Sequence, residues 1–299
     1  MKLKKMLSEG KSLTLLGVSQ PIEAMMLEAA GFKAAYVSGA ALSTSLGFLD
    51  EGLITLEKMI QVVSDIRKVS DISLLVDCDT GLLSEEGSVQ TNQMSENDAL
   101  PAMAHAMMHL LAYAGADAVQ IEDQVPAKKR CGHLSGKELI SMNDMFWKIR
   151  MLAHWRKNKD QLIVARTDAR AAEGLEGAIF RAHRYINAGT DAIFPEALES
   201  EEEFRIFREN LPGIPLVANL AEDGKTPPLT ADKLFSLGYQ MVLIPATPLR
   251  LMLKFHELIL KDAKYLGTLK YLIEFCGILS RNELNEFIKN NSKIYKKTD

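Results

Sequence analysis

The sequence has 299 residues, of which 47% are hydrophobic and 25% are charged, and its formal net charge is -4. This composition is typical of a globular protein with a sizeable core, and the lack of a basic stripe excludes nucleic acid as an expected partner. No apolar run reaches the ~18 residues of a membrane span, so we expect no membrane association. The 3 cysteines are too few and too scattered for a disulfide framework, which predicts a cytoplasmic protein.

Short apolar runs alternate along the chain with stretches that carry apolar residues at helical spacing. We predict eight strands, at residues 12–18, 34–39, 73–79, 118–123, 162–168, 192–196, 215–220 and 241–245. Repeated strand-then-helix units predict one closed (β/α)8 barrel, with residues 1–299 forming a single domain. An open doubly wound sheet is disfavoured because the turn at 17–20 lacks a glycine-rich fingerprint.

Two segments depart from this regular pattern. Residues 82–98 are mostly polar and form a long connection after the third strand, which predicts either a lid or subunit contact, or a plain solvated insertion. From about residue 247 the chain continues as an apolar-rich helical extension, longer than the barrel requires. A further helix is predicted over 281–290.

Acidic residues follow several strands at the end where barrel enzymes carry their chemistry. Asp77 and Asp79 end the third strand, and alternate residues of a strand point the same way, so these carboxylates should converge. Glu122 ends the fourth strand and Asp50 follows the second. Such hard oxygen ligands favour Mg2+, with Mn2+ as the alternative. The competing interpretation is that each acid caps a neighbouring helix.

A cysteine lies among cationic residues in the run KKRCGH at residues 128–133. Cationic neighbours lower the pKa of a thiol, so we predict that Cys131 exchanges a proton near neutral pH, with Arg130 and His133 as catalytic neighbours. A nucleophilic role is the alternative, although no partner pair typical of a thiol protease is evident. Cys78 and Cys276 lie in apolar runs and are expected in the core.

Further strand ends carry groups suited to binding carboxylates. The guanidinium of Arg166 can pair with a substrate carboxylate while Asp168 holds it or a helix terminus, and Glu196 is a second strand-end acid. A purely structural Arg–Glu pair is the alternative. His105 and His109 have the spacing of a metal-binding pair, but HAMMH lacks the glutamate of HExxH, so we expect them to pack in the core or an interface.

Several longer motifs together resemble one known group of enzymes. They are YVSGA, LGFLDEG, LLVDCDTG, IEDQVPAKKRCGH, ARTDARAAEGLEGAI, FPEA, ANLAEDGKTP and the late RNEL. With them the chain resembles the isocitrate lyase and phosphoenolpyruvate mutase superfamily, and within it the methylisocitrate lyase family. The resemblance implies a Mg2+-dependent carbon–carbon lyase that cleaves 2-methylisocitrate, a small carboxylate, into pyruvate and succinate. It also implies a homotetramer whose C-terminal helices are swapped between subunits.

The same resemblance assigns roles to individual residues. Asp77 would be the direct metal ligand, and the waters of the metal would be held by Asp50, Asp79 and Glu122. Cys131 would donate a proton to the succinate carbanion, and Tyr36 would take part in proton transfer on the oxygen side. The carboxylate of the α-keto acid would be bound by Ser38, Gly39 and Ala40. The remaining carboxylates would be surrounded by Gly132, His133, Arg166, Glu196 and Asn219.

Some positions depart from the pattern of the family. The usual aromatic–glycine pair is replaced by Leu82-Leu83, one small residue near Ser38 is Ala40, and Ile244 replaces a tyrosine. The alternatives are therefore a lyase for dimethylmalate or isocitrate, and an oxaloacetate decarboxylase or phosphonomutase, although the CGH run argues against the last two. An alternative of another class is a catalytically silent, oligomeric ligand-binding barrel.

Overall fold

The computed structural model of the chain describes residues 2–82, 96–130, 136–156, 158–222, 224–266, 269, 273 and 278–295. All strand pairs are parallel, and the strand order β6-β5-β4-β3-β2-β1-β8-β7 is that of a (β/α)8 barrel. A parallel bridge between Ile193 and Leu216 joins the two ends of the sheet. The predicted barrel is therefore confirmed. The strands are β1 Leu13–Val18, β2 Ala34–Val37, β3 Ser73–Asp77, β4 Ala118–Glu122, β5 Leu162–Thr167, β6 Ala192–Pro195, β7 Val217–Asn219 and β8 Met241–Ile244.

Helices surround the barrel, and further helices follow its last strand. Several helices begin after a serine or threonine whose side chain accepts a backbone N–H, as at Thr55 and Ser280. The last helix confirms the prediction for 281–290. None of the helices within the described ranges is long and apolar enough to cross a membrane. The helices are α1 Lys2–Ser8, α2 Pro21–Ala29, α3 Gly39–Ser45, α4 Leu56–Val69, α5 Glu96–Ala114, α6 Met142–Trp155, α7 Ala169–Ala188, α8 Glu201–Asn210, α9 Ala231–Ser236, α10 Thr247–Leu266 and α11 Arg281–Asn291.

Alternation along each strand divides the core into two layers. In β3, Leu75 belongs to the cluster inside the barrel, whereas Leu74 and Val76 belong to the cluster between the strands and the surrounding helices. The same period of two places Asp77 on the inner side of the barrel, at the carboxyl end of the strand. The functional rim is therefore a direct consequence of strand geometry.

Helix α1 closes the opposite end of the barrel. Leu3 and Leu7 belong to the interior cluster together with Leu13 and Met241, which lie near the amino ends of their strands. Leu3 is completely buried. The barrel is therefore packed with apolar side chains at its amino end, and the polar side chains lie at its carboxyl end.

Seven of the eight predicted strands extend one or two residues too far at their carboxyl ends, whereas β1 ends at Val18 as predicted. Ser38, Asp79, Asp168 and Glu196 follow the strands that were predicted to contain them. These residues have left the sheet for the loops of the rim, which is why sequence periodicity cannot mark the strand end. The predicted long connection at 82–98 lies outside the described residues from 83 to 95.

We expect Leu3→Ala to lower the free energy of unfolding by about 2–5 kcal/mol, because it leaves a cavity in the closed end of the barrel. Urea denaturation followed by circular dichroism measures this change. Leu110→Ala on α5 is the matched control, since Leu110 is 45% exposed. Equal losses in the two variants would contradict the packing role of α1.

Candidate active site

A cavity of about 310 Å3 opens at the carboxyl end of the barrel. Its wall includes side chains that follow different strands, so it brings together residues that are distant in sequence. The predicted site residues that line it are Tyr36, Ser38, Ala40, Asp50, Asp77, Asp79, Glu122, Arg130, Arg166 and Asn219. Glu196 contacts the wall through Asn219, and Gly39 contacts it through Asp77. The predicted residues Cys131, Gly132 and His133 lie outside the described residues.

Asp77 is held in the cavity wall by three hydrogen bonds. One carboxylate oxygen accepts the N–H of Gly39 at 3.1 Å. The other accepts the side-chain amide of Gln120 at 3.0 Å and the N–H of Asp79 at 3.2 Å. The hydroxyl of Tyr36 donates to the remaining side of Gln120, at 2.8 Å. These hydrogen bonds fix the direction of the carboxylate and connect it to Tyr36.

Asp79 lies beside Asp77 in an unusual backbone conformation, with a positive φ of 47°. Burial and the negative charge of Asp77 raise the pKa of Asp79 to about 7, against the attraction of Lys129. The ammonium of Lys129 is 2.7 Å from the Asp79 carboxylate and also contacts Asp50. Asp50 and Asp79 are therefore joined through a shared cation.

Lys129 was assigned by sequence analysis only to the surroundings of the thiol. Its ammonium instead lies among acids that follow other strands, and its side chain is buried. Burial lowers the pKa of Lys129, but the attraction of Asp79 and Asp50 outweighs this effect and raises it overall. A run of three cations does not reveal which one turns inward, so the sequence carries no signal for this contact.

The carboxylate of Asp168 fixes the orientation of the Arg166 guanidinium. Its Nε and Nη2 donate to the two carboxylate oxygens of Asp168 at 3.0 and 2.9 Å. The Asp168 side chain makes no capping hydrogen bond to α7, so the alternative in which it holds the helix terminus is not observed. Glu122 and Glu196 lie 3.4 and 3.7 Å from the same guanidinium. A bidentate pair of this kind fixes the plane of an arginine that faces a cavity.

A buried network behind the rim supports Asp168. Asp123 points away from the cavity and accepts the N–H of Asp168 at 2.9 Å. It also accepts the hydroxyl of Thr167 at 2.7 Å and that of Tyr185 at 2.7 Å. Lys137 contacts Asp168 from the other side. Sequence analysis did not identify Asp123 or Lys137 as supporting residues because their partners come from other elements.

One polar atom of the cavity wall has unused hydrogen-bonding capacity, and it belongs to Asn219. The amide nitrogen of Asn219 donates to Glu196 at 3.2 Å. Its Oδ1 is buried and has no hydrogen-bond partner within the described part of the chain. Glu222 and Arg250, which sequence analysis missed, also line the cavity and lie 3.4 Å apart. This wall therefore offers both acceptors and a guanidinium to a polar ligand.

The histidine pair of α5 does not belong to the cavity. The rings of His105 and His109 lie 4.3 Å apart, and His105 packs edge-on against Trp155 at 4.6 Å. His105 is exposed and His109 is half-buried, so neither lies in the core, and packing in an interface stays a prediction. Cys78 is buried, as predicted. Across the described ranges, no cluster of three or more His, Cys, Asp or Glu side chains is arranged to hold a metal ion as it stands.

Comparison with known proteins adds the family. Residues 3–262 match the sequence signature described as phosphoenolpyruvate phosphomutase. The chain belongs to the phosphoenolpyruvate mutase and isocitrate lyase superfamily. This finding confirms the resemblance that the motifs indicated.

Similar proteins within this superfamily cover most of the chain. The 2-methylisocitrate lyase of Aeropyrum pernix is 43% identical over 272 residues, which are 91% of this chain and 81% of that protein. The 2-methylisocitrate lyase of Halalkalibacterium halodurans is 41% identical over 287 residues, 96% of this chain and 88% of that protein. A crystal structure of 2,3-dimethylmalate lyase superposes with a TM-score of 0.81 at 28% identity, covering 97% of this chain and 93% of that one.

We expect Asp168→Asn to reduce the free energy of unfolding by about 3–5 kcal/mol, because Arg166 and Lys137 would lose the charge that compensates their burial. Urea denaturation measures the loss. The control is Asp65→Asn, which breaks an exposed pair with Lys68 and should cost about 0–1 kcal/mol. Similar values for the two variants would show that Asp168 does not compensate buried charge.

Proposed function

We propose that this protein is a 2-methylisocitrate lyase, which breaks a carbon–carbon bond to release pyruvate and succinate. The main structural support is that buried carboxylates and the oriented guanidinium of Arg166 face one cavity. The identities of 41–43% to 2-methylisocitrate lyases over most of the chain support the same substrate. The proposal places the protein in propionate catabolism, in the cytoplasm.

We further propose that Mg2+ is the cofactor, with Mn2+ as a substitute. The residues fit a hard cation because Asp77, Asp79 and Glu122 supply buried carboxylate oxygens to one cavity. Burial and the negative charge of Asp77 raise the pKa of Asp79 to about 7 although the ammonium of Lys129 lies beside it, so this one ammonium does not balance the negative charge of the cluster. Asp77 would bind the metal, and the other two, together with Asp50, would hold its waters. When bound, the cation would stabilise negative charge on the substrate oxygens.

The chain's own residues would bind the carboxylates of the substrate. Arg166 presents a guanidinium fixed by Asp168, which suits a planar carboxylate. Arg250 supplies a second guanidinium at the cavity wall, and Oδ1 of Asn219 can accept a hydrogen bond from a substrate hydroxyl. Ser38, Gly39 and Ala40 would form the end that binds the keto-acid carboxylate, with Glu196, Gly132 and His133 near the others.

Proton transfer would complete the cleavage. When the carbon–carbon bond breaks, its electron pair passes to the succinate fragment, which needs a proton on carbon. Cys131 would donate that proton, and Arg130 and His133 would keep its thiol acidic. The 2-hydroxyl group loses its proton as the keto acid forms. Tyr36 lines the cavity and is our candidate to relay this proton to solvent, accepting it while releasing its own hydroxyl proton.

A 2,3-dimethylmalate lyase is the second candidate, because a solved structure with that activity has the same fold over 97% of this chain. Both reactions need the same metal and the same acid. The two substrates differ in the side group that the cavity must accommodate. The choice of substrate is therefore the property to be tested first.

We expect purified protein with Mg2+ to release pyruvate from 2-methylisocitrate faster than keto acid forms from 2,3-dimethylmalate, isocitrate or oxaloacetate. EDTA should abolish this activity, and Mg2+ should restore it. Cys131→Ser should lower kcat by about 10²–10⁴-fold, the usual contribution of a positioned acid, whereas Cys276→Ser should retain activity. Coupled lactate dehydrogenase assays measure pyruvate. Undiminished activity in both EDTA and Cys131→Ser would refute the mechanism.

We also propose that the protein is a homotetramer in which the C-terminal helices are exchanged between subunits. Helix α10 exposes a series of large apolar side chains, and a face of this kind is unfavourable in water unless another chain covers it. The exposed residues are Leu251, Met252, Leu253, Phe255, Leu258 and Leu260. A second copy of the chain is the occupant that the proposed tetramer supplies.

The oligomer is tested by light scattering after gel filtration, where we expect a mass four times that of the chain. Changing Leu251 and Leu258 together to Lys should shift the protein towards smaller species, because charged ammonium groups are costly to bury. His256→Lys adds a charge at another exposed position of α10 and should leave the mass unchanged. A monomeric wild-type protein would exclude the tetramer.

A further inference from the structure

Gln124 is a buried polar residue that the proposed mechanism does not use. It lies two residues after Glu122 and is completely buried. Its backbone forms an isolated antiparallel bridge with Leu139, and Val125 donates to the carbonyl of Glu138 at 2.8 Å. These contacts close the base of the segment that runs from residue 125 to residue 138. The base of the segment that contains Cys131 is therefore anchored at Gln124.

The side chain of Gln124 makes three hydrogen bonds across this base. Its Oε1 accepts the backbone N–H of Arg130 at 3.0 Å. Its Nε2 donates to the backbone carbonyl of Arg130 at 3.0 Å and to the carboxylate of Glu122 at 2.9 Å. Both backbone groups of Arg130 are thus held by one side chain, which is also bonded to an acid of the cavity.

The chemistry of the partners requires an amide at this position. A backbone N–H only donates, whereas a carbonyl and an ionised carboxylate only accept, so one orientation of the Gln124 amide satisfies all three partners. A carboxylate of the same shape could accept from Arg130 but would place lone pairs against its carbonyl and against Glu122. Gln124→Glu is therefore a nearly isosteric change that breaks two of the three hydrogen bonds.

We propose that Gln124 is a positioning residue, which fixes the backbone of Arg130, the residue before the proposed proton donor Cys131, relative to Glu122 of the acid cluster. The proposal rests on the proposed function, in which Cys131 is the proton donor. Arg130 directly precedes Cys131, so its carbonyl carbon is the atom to which Cys131 is joined. The Lys129 side chain bonds Asp79 just before this point, which gives the segment a second contact with the acids.

Loss of the hydrogen bonds from Gln124 to Arg130 should lower kcat more than it changes KM. A misplacement of about 1 Å in a catalytic group can cost about 10²-fold in rate. We therefore expect Gln124→Glu and Gln124→Met to lower kcat by about 10²-fold while KM changes by less than about fivefold, because the carboxylate-binding residues keep their own partners. Gln124→Met keeps the length of the side chain without adding a charge, so it also serves if Gln124→Glu does not fold.

The matched control is Gln161→Glu. Gln161 is also buried, at 1% exposure, but it precedes β5 at the amino end of the barrel. The same chemical change there should lower thermal stability without selectively lowering kcat. The melting temperature of each variant, measured by circular dichroism, separates a general loss of stability from a change in position.

A second measurement is independent of turnover. Alkylation of Cys131 by iodoacetamide, followed by mass spectrometry of its peptide, reports the exposure of the thiol. We expect the alkylation rate of Cys131 in the Gln124 variants to differ from that of wild type by about fivefold, the population change that loss of about one hydrogen bond produces. Cys276 in the same samples should react at an unchanged rate, as should Cys131 in Gln161→Glu.

Two results would overturn the proposal. One is unchanged alkylation of Cys131 in both Gln124 variants. The other is a loss of kcat that Gln161→Glu reproduces at the same loss of melting temperature. Failure of the proposed function is a different result, in which wild-type protein releases no keto acid from any substrate in the panel. In that case the alkylation rates alone decide whether Gln124 positions the segment.

Discussion

The rim of the barrel depends on balancing carboxylates that are removed from water. Removing an ionised carboxylate from water costs several kcal/mol unless an opposite charge and hydrogen bonds compensate it. Asp79 and Glu122 are compensated by Lys129 and Arg166, respectively. These four groups belong to β3, β4 and β5 or to the loops that follow these strands. Their attraction therefore also holds the three segments together. Asp77, beside Asp79, is the carboxylate to which the proposed metal ion would bind.

Positive and negative groups of this cavity are carried by neighbouring strands. The acids follow β3 and β4, whereas Arg166 ends on β5 and is kept in place by Asp168. A carboxylate ligand therefore meets a guanidinium that is already oriented, next to the carboxylates of the proposed metal site. Preorganised charge of this kind acts without reorganisation during the reaction. This arrangement of charges agrees with the membership of the chain in a superfamily that includes carbon–carbon lyases.

Much of the fold was predictable because the barrel repeats one simple pattern. Period-two alternation and helical spacing identified all eight strands, and the alternation in β3 correctly placed Asp77 at the inner rim. The predictions failed at the ends of the strands, where residues such as Asp168 leave the sheet. The local sequence has the same pattern within the strand and just beyond its end. Tertiary hydrogen bonds therefore decide the residue at which the strand ends.

The sequence by itself determined the barrel, the family and the set of acids, because strand periodicity and long motifs are properties of neighbouring residues. Only the tertiary structure decided which side chains meet. It placed Lys129 against Asp79, assigned Asp168 to Arg166 rather than to a helix end, and joined Gln124 to Arg130. These contacts form only because the loops turn in particular directions. Those directions depend on packing and on charge balance across the whole rim.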